Sequence, residues 1–393
     1  MKSVAVFDMR DFDEAEWFEK YSQELGLTLS PCPDAPDMEN IARVTEGCEC
    51  VDIITSQITR EMMEEFAKSG IRYITTRTIG YDHIDLEAAK EFGIHVGNAP
   101  YGPNGVADYT VMLILMSIRK MKRILERTNI QDYTLQGIQG RELKDLTVGV
   151  IGTGRIGRTV IRNLSGFGCR ILAYDLYENE EVKEHASYVP LKELWKEADV
   201  ITLHTPLTEE NHYLINKESL AMMKDGVVIL NYARDLLVND DDITDALANG
   251  KVRRYMTDFP NEKTGQMVNV IATPHLGAST SESEDNCAVM AVDELRDFLE
   301  TGRIRNSVNY PSCALPPEKC ACRICIMNVN KPNMIVRFSA ILSDAGINIP
   351  NMTNKSRGNA AYTLIDCDTL PSEELIDKIR DIDGVKKVRV IYH

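Results

Sequence analysis

The chain has no long apolar run, and this absence excludes a class of protein. Its longest uninterrupted apolar stretch, Val111 to Met116, covers a small part of the 393 residues, whereas a membrane-spanning helix needs about 20 apolar residues. The first residues carry a charge inside an apolar run and lack a small-residue cleavage motif, so they predict a strand rather than a signal peptide. We therefore expect a cytoplasmic protein that contacts no membrane.

Basic residues are also scarce, and the cysteines lack the context of a disulfide framework. Lysine and arginine number 44 against 60 aspartates and glutamates, giving a formal net charge of -16. Because phosphate backbones are bound by clustered basic side chains, nucleic acid is not expected as a partner. The ten cysteines belong to a long chain without a secretion signal, which is typical of reduced thiols.

The chain does contain repeated alternations of short apolar strands and helical segments, the pattern of parallel α/β sheets. One series fills the first hundred residues, and Pro100, Gly102 and Pro103 interrupt it before an apolar helix predicted over Val106 to Met121. A second series begins at Thr147. After a proline-rich linker, residues 320–393 read as strand, helix, strand, strand, helix, strand, which is the ferredoxin-like plan, with the second strand predicted over Ile347 to Thr353.

These breaks divide the chain into three predicted domains. The fold class is α/β throughout. The predicted ranges are a first domain at 1–102 completed by 281–312, a second at 103–280, and a third at 320–393.

A glycine-rich segment follows the first strand of the second series and opens a helix. It consists of Gly152, Thr153, Gly154, Arg155, Ile156 and Gly157. Glycines at this spacing allow a tight turn and close approach of the backbone to a pyrophosphate at the helix N-terminus. Asp175 ends the next predicted strand, where a carboxylate bonds ribose hydroxyls and repels a 2′-phosphate. We expect a Rossmann domain that binds NAD; a glycine-rich turn without a ligand is the alternative.

Three polar residues near the ends of later strands suggest a catalytic set. His275 directly follows the predicted strand Val270 to Ala272, Glu262 is a carboxylate that would hold the imidazole, and Arg234 would bind a carboxylate anion through two hydrogen bonds. Taken singly, a loop histidine, a solvated glutamate and a surface arginine remain open alternatives.

Several motifs between Val148 and Tyr310 resemble the D-isomer-specific 2-hydroxyacid dehydrogenase family. Besides the glycine segment, they are Leu203-His204-Thr205-Pro206-Leu207-Thr208, Met223-Lys224-Asp225-Gly226, Asn231-Tyr232-Ala233-Arg234 and Thr273-Pro274-His275. The resemblance implies an NAD-dependent oxidoreductase that acts on a small 2-hydroxy or 2-oxo acid. It implies Arg234, Glu262 and His275 as the catalytic set. It also implies cofactor contacts by Thr205, Pro206, Ala233, Asp258 and Gly277, with Asp258 bonding the nicotinamide carboxamide.

The same resemblance assigns the first domain as a flavodoxin-like substrate domain. It implies substrate contacts by Arg77, Ile79, Gly80 and Tyr101, the glycine loop acting through backbone N–H groups. The helix from Val106 matches the segment through which members of the family dimerise, so a homodimer or homotetramer is expected.

The third domain resembles ACT domains through Asn330-Lys331-Pro332 and Gly346-Ile347-Asn348-Ile349. A dehydrogenase with such a domain resembles the phosphoglycerate dehydrogenases of serine biosynthesis, and this branch is our leading expectation. Asn328, Asn330 and Asn348 match positions that bind an amino-acid effector in that branch.

The first predicted domain resembles a different branch of the family. Arg77 to Asp85 and Asn98 to Tyr101 resemble D-lactate dehydrogenases and their relatives, and Ile53 and Thr55 stand where phosphoglycerate dehydrogenases place arginines. Arg60 or Arg77 would then have to bind the phosphate. A dehydrogenase for non-phosphorylated 2-oxo acids is the first alternative.

Two other features leave alternatives open. Asp235, beside Arg234, allows an NAD-binding sensor with little catalysis. Cys320, Cys322 and Cys325 suggest a metal site, but strand alternation predicts Cys322 and Cys325 on opposite faces, so no metal is expected.

Overall fold

The computed structural model describes residues 2–10, 15–100, 102–316 and 320–393. The chain forms two compact units, Met1–Tyr101 with Ser281–His393, and Gly102–Thr280. Within the described residues, no helix has both the length and the apolar character needed to cross a membrane.

The first unit begins with a five-stranded parallel sheet. Its strands are β1 (Lys2–Val6), β2 (Leu27–Pro31), β3 (Cys50–Ile53), β4 (Tyr73–Thr76) and β5 (His95–Asn98). Its helices are α1 (Ala15–Leu25), α2 (Ile41–Val44), α3 (Arg60–Lys68) and α4 (Leu86–Phe92). All residues of β3 and β4 are buried, as in strands covered on both faces. The strand order β2-β1-β3-β4-β5 is the flavodoxin-like order that the sequence predicts.

The second unit is built on a seven-stranded parallel sheet. Its strands are β6 (Thr147–Ile151), β7 (Arg170–Tyr174), β8 (Ser187–Tyr188), β9 (Val200–Leu203), β10 (Val227–Asn231), β11 (Val252–Thr257) and β12 (Val270–Ala272). Its helices are α5 (Asn104–Ile118), α6 (Met121–Thr128), α7 (Arg155–Ser165), α8 (Glu180–Lys183), α9 (Leu191–Glu197), α10 (Lys217–Met222) and α11 (Asp240–Ala248). The order β12-β11-β10-β9-β6-β7-β8 reverses direction between β6 and β9, where ligands bind in such sheets.

The chain then returns to the first unit and ends in a four-stranded antiparallel sheet. These elements are α12 (Ser281–Thr301), β13 (Cys322–Val329), α13 (Met334–Asp344), β14 (Met352–Arg357), β15 (Ala360–Cys367), α14 (Glu373–Arg380) and β16 (Val385–Tyr392). The order β14-β15-β13-β16 is ferredoxin-like. Cys322 packs on the side of α13 and α14, whereas Cys325 packs on the side of α12. The predicted alternation of these two thiols is therefore confirmed.

The antiparallel sheet shares a core with the first parallel sheet, although the sequence predicts it as a separate domain. Tyr362 and Cys325 pack in one cluster with Val4 and Phe298. The last carbonyls of α12, which lack partners within a helix, are bonded by side chains of this sheet. Arg389 donates to the carbonyls of Phe298 and Leu299, Arg323 donates to that of Thr301, and the Tyr362 hydroxyl donates to that of Gly302.

Some local predictions differ from the structure. The helix predicted over Val106 to Met121 ends earlier, at Ile118, because the chain turns at Lys120, where φ is 55°, before α6 begins at Met121. The strand predicted over Ile347 to Thr353 lies later, at β14. The apolar pattern of the sequence does not predict β11, because Arg253 and Arg254 interrupt its apolar run.

Candidate active site

The glycine segment joins β6 to α7 in the form that dinucleotide binding requires. Gly152 has φ of 90°, and a Cβ there would lie 2.5 Å from the His204 carbonyl oxygen. A Cβ on Gly157 would overlap the Gly152 carbonyl oxygen, so both positions require glycine. Gly154 is different, since a Cβ there would meet nothing within 4 Å. This open space precedes Arg155 and Ile156 at the start of α7 and is suited to a pyrophosphate.

Asp175 lies beside this segment at the end of β7. One carboxylate oxygen accepts hydrogen bonds from the Thr153 backbone N–H at 2.6 Å and from the Thr153 hydroxyl at 3.1 Å. The other accepts from the Tyr177 backbone N–H at 3.1 Å. Backbone and side chain thus fix the acid that the sequence assigns to the ribose.

Two apolar side chains next to Asp175 were not singled out from the sequence. Leu176 and Tyr177 are 82% and 84% exposed. Large apolar side chains at such exposure beside a nucleotide loop form a platform on which an adenine ring can pack. The available signal was their position directly after Asp175, the acid that the sequence assigns to the ribose.

The loop after β9 forms the other side of the glycine segment. His204 donates its backbone N–H to the Ile151 carbonyl, and Thr202 bonds its Nε2 at 2.9 Å. Burial lowers the pKa of His204 to about 4, so the ring is neutral near pH 7. Thr205 and Pro206 follow it, and Asn211 holds the Pro206 carbonyl at 2.7 Å. Both residues therefore lie next to the nucleotide loop.

Asn231, at the end of β10, shapes the loop that carries Arg234. Its side chain accepts the Ala233 backbone N–H at 3.2 Å and donates to the Arg234 carbonyl at 2.8 Å. Ala233 is buried, and the half-buried Arg234 guanidinium donates to the Ala233 carbonyl at 2.7 Å. Asn231 is a positioning residue, and nothing in its motif distinguishes it from its neighbours.

Asp235 interacts with groups other than the neighbouring arginine. Asn261 donates to its carboxylate at 3.4 Å and to that of Asp240 at 2.9 Å. Burial and then the charge of Asp240 raise the pKa of Asp235, while the Asn261 hydrogen bond opposes that rise. The feature that favoured a catalytically weak sensor therefore belongs to a local acid and amide cluster.

His275 is paired with Asp258 and not with Glu262. Its Nδ1 lies 2.8 Å from a carboxylate oxygen of Asp258, whose side chain is 2% exposed. The Phe259 ring packs against the imidazole with centroids 4.9 Å apart. Glu262 is exposed on the following turn, and no hydrogen bond or ion pair joins it to His275 in the described residues. The structure therefore pairs the imidazole with Asp258, and the expected role of Glu262 stays a prediction.

Gly277 closes this loop against α5. A Cβ on Gly277 would be in ordinary contact with Val106 at 3.5 Å. Thr273, at the start of the same loop, accepts a hydrogen bond from the Tyr109 hydroxyl at 2.9 Å. The loop that carries His275 is thus held at both ends by α5.

The first unit contains the loop expected to bind the substrate carboxylate. Asn98 donates to the Ile79 carbonyl at 2.7 Å, and the Thr78 hydroxyl donates to the Gly80 carbonyl at 2.5 Å. The backbone N–H groups of Ile79 and Gly80 have no acceptor in the described part of the chain, which fits anion binding by backbone amides. Tyr101 lies outside the described residues.

Arg77 has a different environment from the one expected. Its side chain is 1% exposed and forms an ion pair with Asp52, which is itself fully buried. It also donates to the Phe7 carbonyl at 3.0 Å and to the Asp8 carbonyl at 3.3 Å. Its burial corrects the expectation of a direct substrate contact, because these bonds direct the guanidinium into the sheet. The pairing with Asp52 depends on folding and has no local sequence signal.

The three asparagines assigned to an effector do not lie together. Asn328 is buried near the end of β13, and Asn330 donates to the Gly358 carbonyl just beyond it. Asn348 bonds Asp368 beside the opposite end of that strand. An eight-residue strand at about 3.3 Å per residue separates the two groups by roughly 25 Å. One copy of the chain therefore does not assemble all three around one amino acid.

Comparison with known proteins gives one family. Residues 111–277 match the model of the D-isomer specific 2-hydroxyacid dehydrogenase, NAD binding domain. An aromatic 2-oxoacid reductase of Clostridium sporogenes is 40% identical over 317 residues, covering 75% of this chain and 96% of the relative. A D-lactate dehydrogenase of Lactiplantibacillus plantarum is 31% identical and covers 79% of this chain and 100% of the relative.

The solved structures agree with these matches. The D-lactate dehydrogenase of Aquifex aeolicus, complexed with NAD and lactic acid, has a TM-score of 0.68 and 31% identity, covering 75% of this chain and 95% of that one. The nucleotide loop, Asp175 and the buried Asp258 suit NAD in the present chain as well. The chain therefore belongs to the D-isomer specific 2-hydroxyacid dehydrogenase family and is an NAD-dependent oxidoreductase.

Proposed function

We propose that the chain interconverts a non-phosphorylated 2-oxo acid and the corresponding D-2-hydroxy acid. The observation that carries this proposal is the state of the two arginines available for a phosphate. Arg77 is buried in its pair with Asp52, and Arg60 bonds Glu91 at 2.6 Å on the surface. A dianionic phosphate needs committed cations, and both of these have other partners. The names of the relatives, which act on lactate or aromatic 2-oxo acids, support the same substrate class.

Two polar residues of the second unit are assigned roles in this reaction. Bound NAD supplies the hydride acceptor. Arg234 binds the substrate carboxylate, and His275 takes the hydroxyl proton on Nε2 because its Nδ1 faces Asp258. In the reductive direction the same nitrogen returns the proton to the carbonyl oxygen.

An assay of NADH consumption against a substrate panel tests the proposal. Pyruvate, 2-oxoisocaproate and phenylpyruvate are compared with phosphohydroxypyruvate under the same conditions. We expect kcat/KM to be at least about tenfold higher for a non-phosphorylated acid, which is about 1.4 kcal/mol of transition-state binding. A preference for phosphohydroxypyruvate overturns the proposal.

The antiparallel sheet favours one second candidate, D-3-phosphoglycerate dehydrogenase. Its ferredoxin-like order is that of the ACT domains which the sequence resembles, and the Clostridium sporogenes relative leaves about a quarter of this chain unmatched. If this candidate holds, an amino-acid effector would need two copies, because Asn330 and Asn348 lie at opposite ends of β13. Titration with L-serine by calorimetry, with heat and altered kinetics as the positive result, tests that candidate.

A second copy of the chain is also proposed as a partner. Exposed apolar side chains are concentrated on α6 and the segment after it, namely Leu125, Ile130, Tyr133 and Leu135, the last at 82% exposure. Apolar side chains clustered in this way mark protein interfaces, and this segment adjoins the helix expected to dimerise. Sedimentation velocity of the wild type and of Leu135→Asp tests this: a dimer that dissociates in the variant supports it, and a wild-type monomer contradicts it.

A further inference from the structure

A group of charged side chains lies at the amino-end edge of the five-stranded sheet, opposite the loop expected to bind the substrate. Glu49 directly precedes β3 and Arg72 directly precedes β4, and the Arg72 backbone N–H donates to the Glu49 carbonyl at 2.8 Å. Because β4 has four residues at about 3.3 Å each, roughly 13 Å of strand separates Arg72 from that loop. These charged groups are therefore separate from the residues assigned to the substrate.

The carboxylate of Glu49 is shared by two arginines. One of its oxygens lies 3.3 Å from a guanidinium nitrogen of Arg72 and 3.1 Å from Nε of Arg389 on β16. The other two nitrogens of Arg389 donate to carbonyls at the end of α12. Nε of Arg72 has no hydrogen-bond partner among the described residues. The charge of Arg72 is therefore only partly compensated.

Lys387 adds a third cation beside these arginines. It lies on β16 two residues before Arg389, so strand alternation places the two side chains on the same face. A Cβ on Gly93, at the end of α4, would lie 3.0 Å from the Lys387 Cβ, which shows that the stem of the lysine packs closely there. Lys387 is half-buried, and in the part of the chain that the structure describes its ammonium group has neither an ion pair nor a hydrogen bond.

The surroundings of Lys387 disfavour its charge. Burial, and then the charges of Arg72 and Arg380, lower the pKa of Lys387. Arg380 has anions of its own, since it bonds Glu373 at 2.5 Å and Asp377 at 2.7 Å on the surface. Because a half-buried ammonium without an anion is costly, this position is suited to an anion that arrives from solvent.

We propose that Arg72 and Lys387 bind a phosphate group, as inorganic phosphate or as a phosphate monoester. Three positive charges, on Arg72, Arg389 and Lys387, face the one negative charge of Glu49, so two positive charges remain. A phosphate group carries close to two negative charges near pH 7, and arginine and lysine are the side chains that bind its oxygens. The side chain of Arg72 is 30% exposed, so an anion reaches it from solvent.

An anion bound here would connect the two sheets of the first unit. Lys387 belongs to the antiparallel sheet through β16, whereas Arg72 precedes β4 of the parallel sheet. A ligand that binds only the folded state stabilises that state. Phosphate should therefore strengthen the packing of the antiparallel sheet, whichever 2-oxo acid the protein reduces.

Calorimetric titration of the full chain with inorganic phosphate tests the site. Ionic strength is held constant with sodium chloride because salt screens exposed charges, and saturating NADH keeps phosphate out of the nucleotide loop. We expect Lys387→Met to raise the phosphate Kd at least about tenfold, since a charge-assisted hydrogen bond is lost. Lys386→Met is the matched control, because Lys386 is the adjacent exposed lysine, and it should keep the wild-type Kd. No phosphate binding by the wild type, or equal binding by Lys387→Met, overturns the proposal.

Urea unfolding separates this proposal from a structural role of Lys387 at the end of α4, where a cation can interact with the helix dipole. Without phosphate, the midpoint of Lys387→Met should equal or exceed that of the wild type, because the variant removes an uncompensated charge. With phosphate the order should reverse, since the wild type alone gains the free energy of binding, while the general effect of the salt raises Lys386→Met equally. A lower midpoint for Lys387→Met without phosphate would show that the fold already compensates this charge, and it overturns the proposal.

Glycerol phosphate, titrated in the same way, distinguishes the two sources of the anion. Tighter binding of glycerol phosphate than of inorganic phosphate, lost in Lys387→Met, supports a phosphate monoester as the ligand. Tighter binding of inorganic phosphate, lost in the same variant, supports the free ion.

Discussion

At the carboxyl ends of their strands, the two parallel sheets differ in whether their polar groups have partners within the chain. At the edge of the seven-stranded sheet, among the residues that the structure describes, Gly154 faces open space and one oxygen of Asp258 has no hydrogen-bond partner. At the edge of the five-stranded sheet, Asp52 is bonded by both Arg77 and Thr75. The first arrangement leaves binding capacity for a ligand. The second satisfies its charges internally, and the difference teaches that a position at a strand end does not by itself leave a polar residue available to a ligand.

The largest expected effect comes from removing the group that we propose transfers the proton, at the edge of the seven-stranded sheet. His275→Ala should lower kcat by roughly 10²- to 10⁴-fold, while NADH binding, followed by fluorescence, changes little because the nucleotide loop is untouched. The matched control is His185→Ala, since His185 is exposed on the same unit. Turnover within a few-fold of the wild type would remove His275 from the reaction.

At the edge of the five-stranded sheet, a substitution should lower the stability of the fold and leave catalysis unchanged. Arg77→Met leaves Asp52 buried without its cation, and breaking such a pair costs about 3–5 kcal/mol. Trp17 lies in the first unit and Trp195 in the second, so urea unfolding of a Trp195→Phe background reports the first unit through Trp17 fluorescence. We expect a lower midpoint with the KM of the folded enzyme unchanged. A raised KM at unchanged stability would show that Arg77 contacts the substrate after all.

Glu294 is another buried carboxyl of the first unit, and it differs from Asp52 because its hydrogen-bond partners are neutral. Glu294 accepts hydrogen bonds from Tyr73 at 3.3 Å and from Asn306. Burial raises its pKa from 4.5 to about 7, although these hydrogen bonds and the charge of Arg305 oppose the rise. The folded state therefore binds the proton more tightly than the unfolded chain.

The sign of the pH effect follows from this raised pKa. The stability contributed by protonated Glu294 is fully present below pH 4.5 and is lost as pH rises through about 7. A shift of this size is worth about 3 kcal/mol. Glu294→Gln should remove that part of the pH dependence, so the free energy of unfolding of the wild type should fall relative to that of the variant between about pH 5 and about pH 8. A constant difference across this range would contradict the assignment.

The sequence predicted the polar groups at the edge of the seven-stranded sheet better than those at the edge of the five-stranded sheet. The glycine segment and Asp175 follow from local spacing, and the structure shows both at the ends of the strands that the sequence predicts. The partner of His275 was missed because Asp258 and Glu262 are close in sequence and only the turn after β11 decides between them. The burial of Arg77 was missed because its partner, Asp52, lies on a neighbouring strand.

For the antiparallel sheet, the sequence predicted the fold but not its packing against the rest of the first unit. Its strand and helix order could be read from periodicity, and the observed order agrees. Its union with the first unit depends on Arg323 and Arg389 reaching the carbonyls at the end of α12. Two arginines in separate strands give no pattern from which such a contact can be inferred.

The smallest expected effect belongs to the exposed counterpart of Arg77. Arg60 bonds Glu91 with about half of each side chain in solvent, and exposed pairs of this kind contribute little because water screens them. Arg60→Ala should leave the urea midpoint and the KM for the preferred 2-oxo acid unchanged within error. The informative measurement is the KM for phosphohydroxypyruvate, because a phosphate bound by Arg60 would make that constant rise severalfold in the variant. Such a rise would show that the first unit recognises a phosphorylated acid, and it would place a functional cation at the edge where the structure shows paired charges.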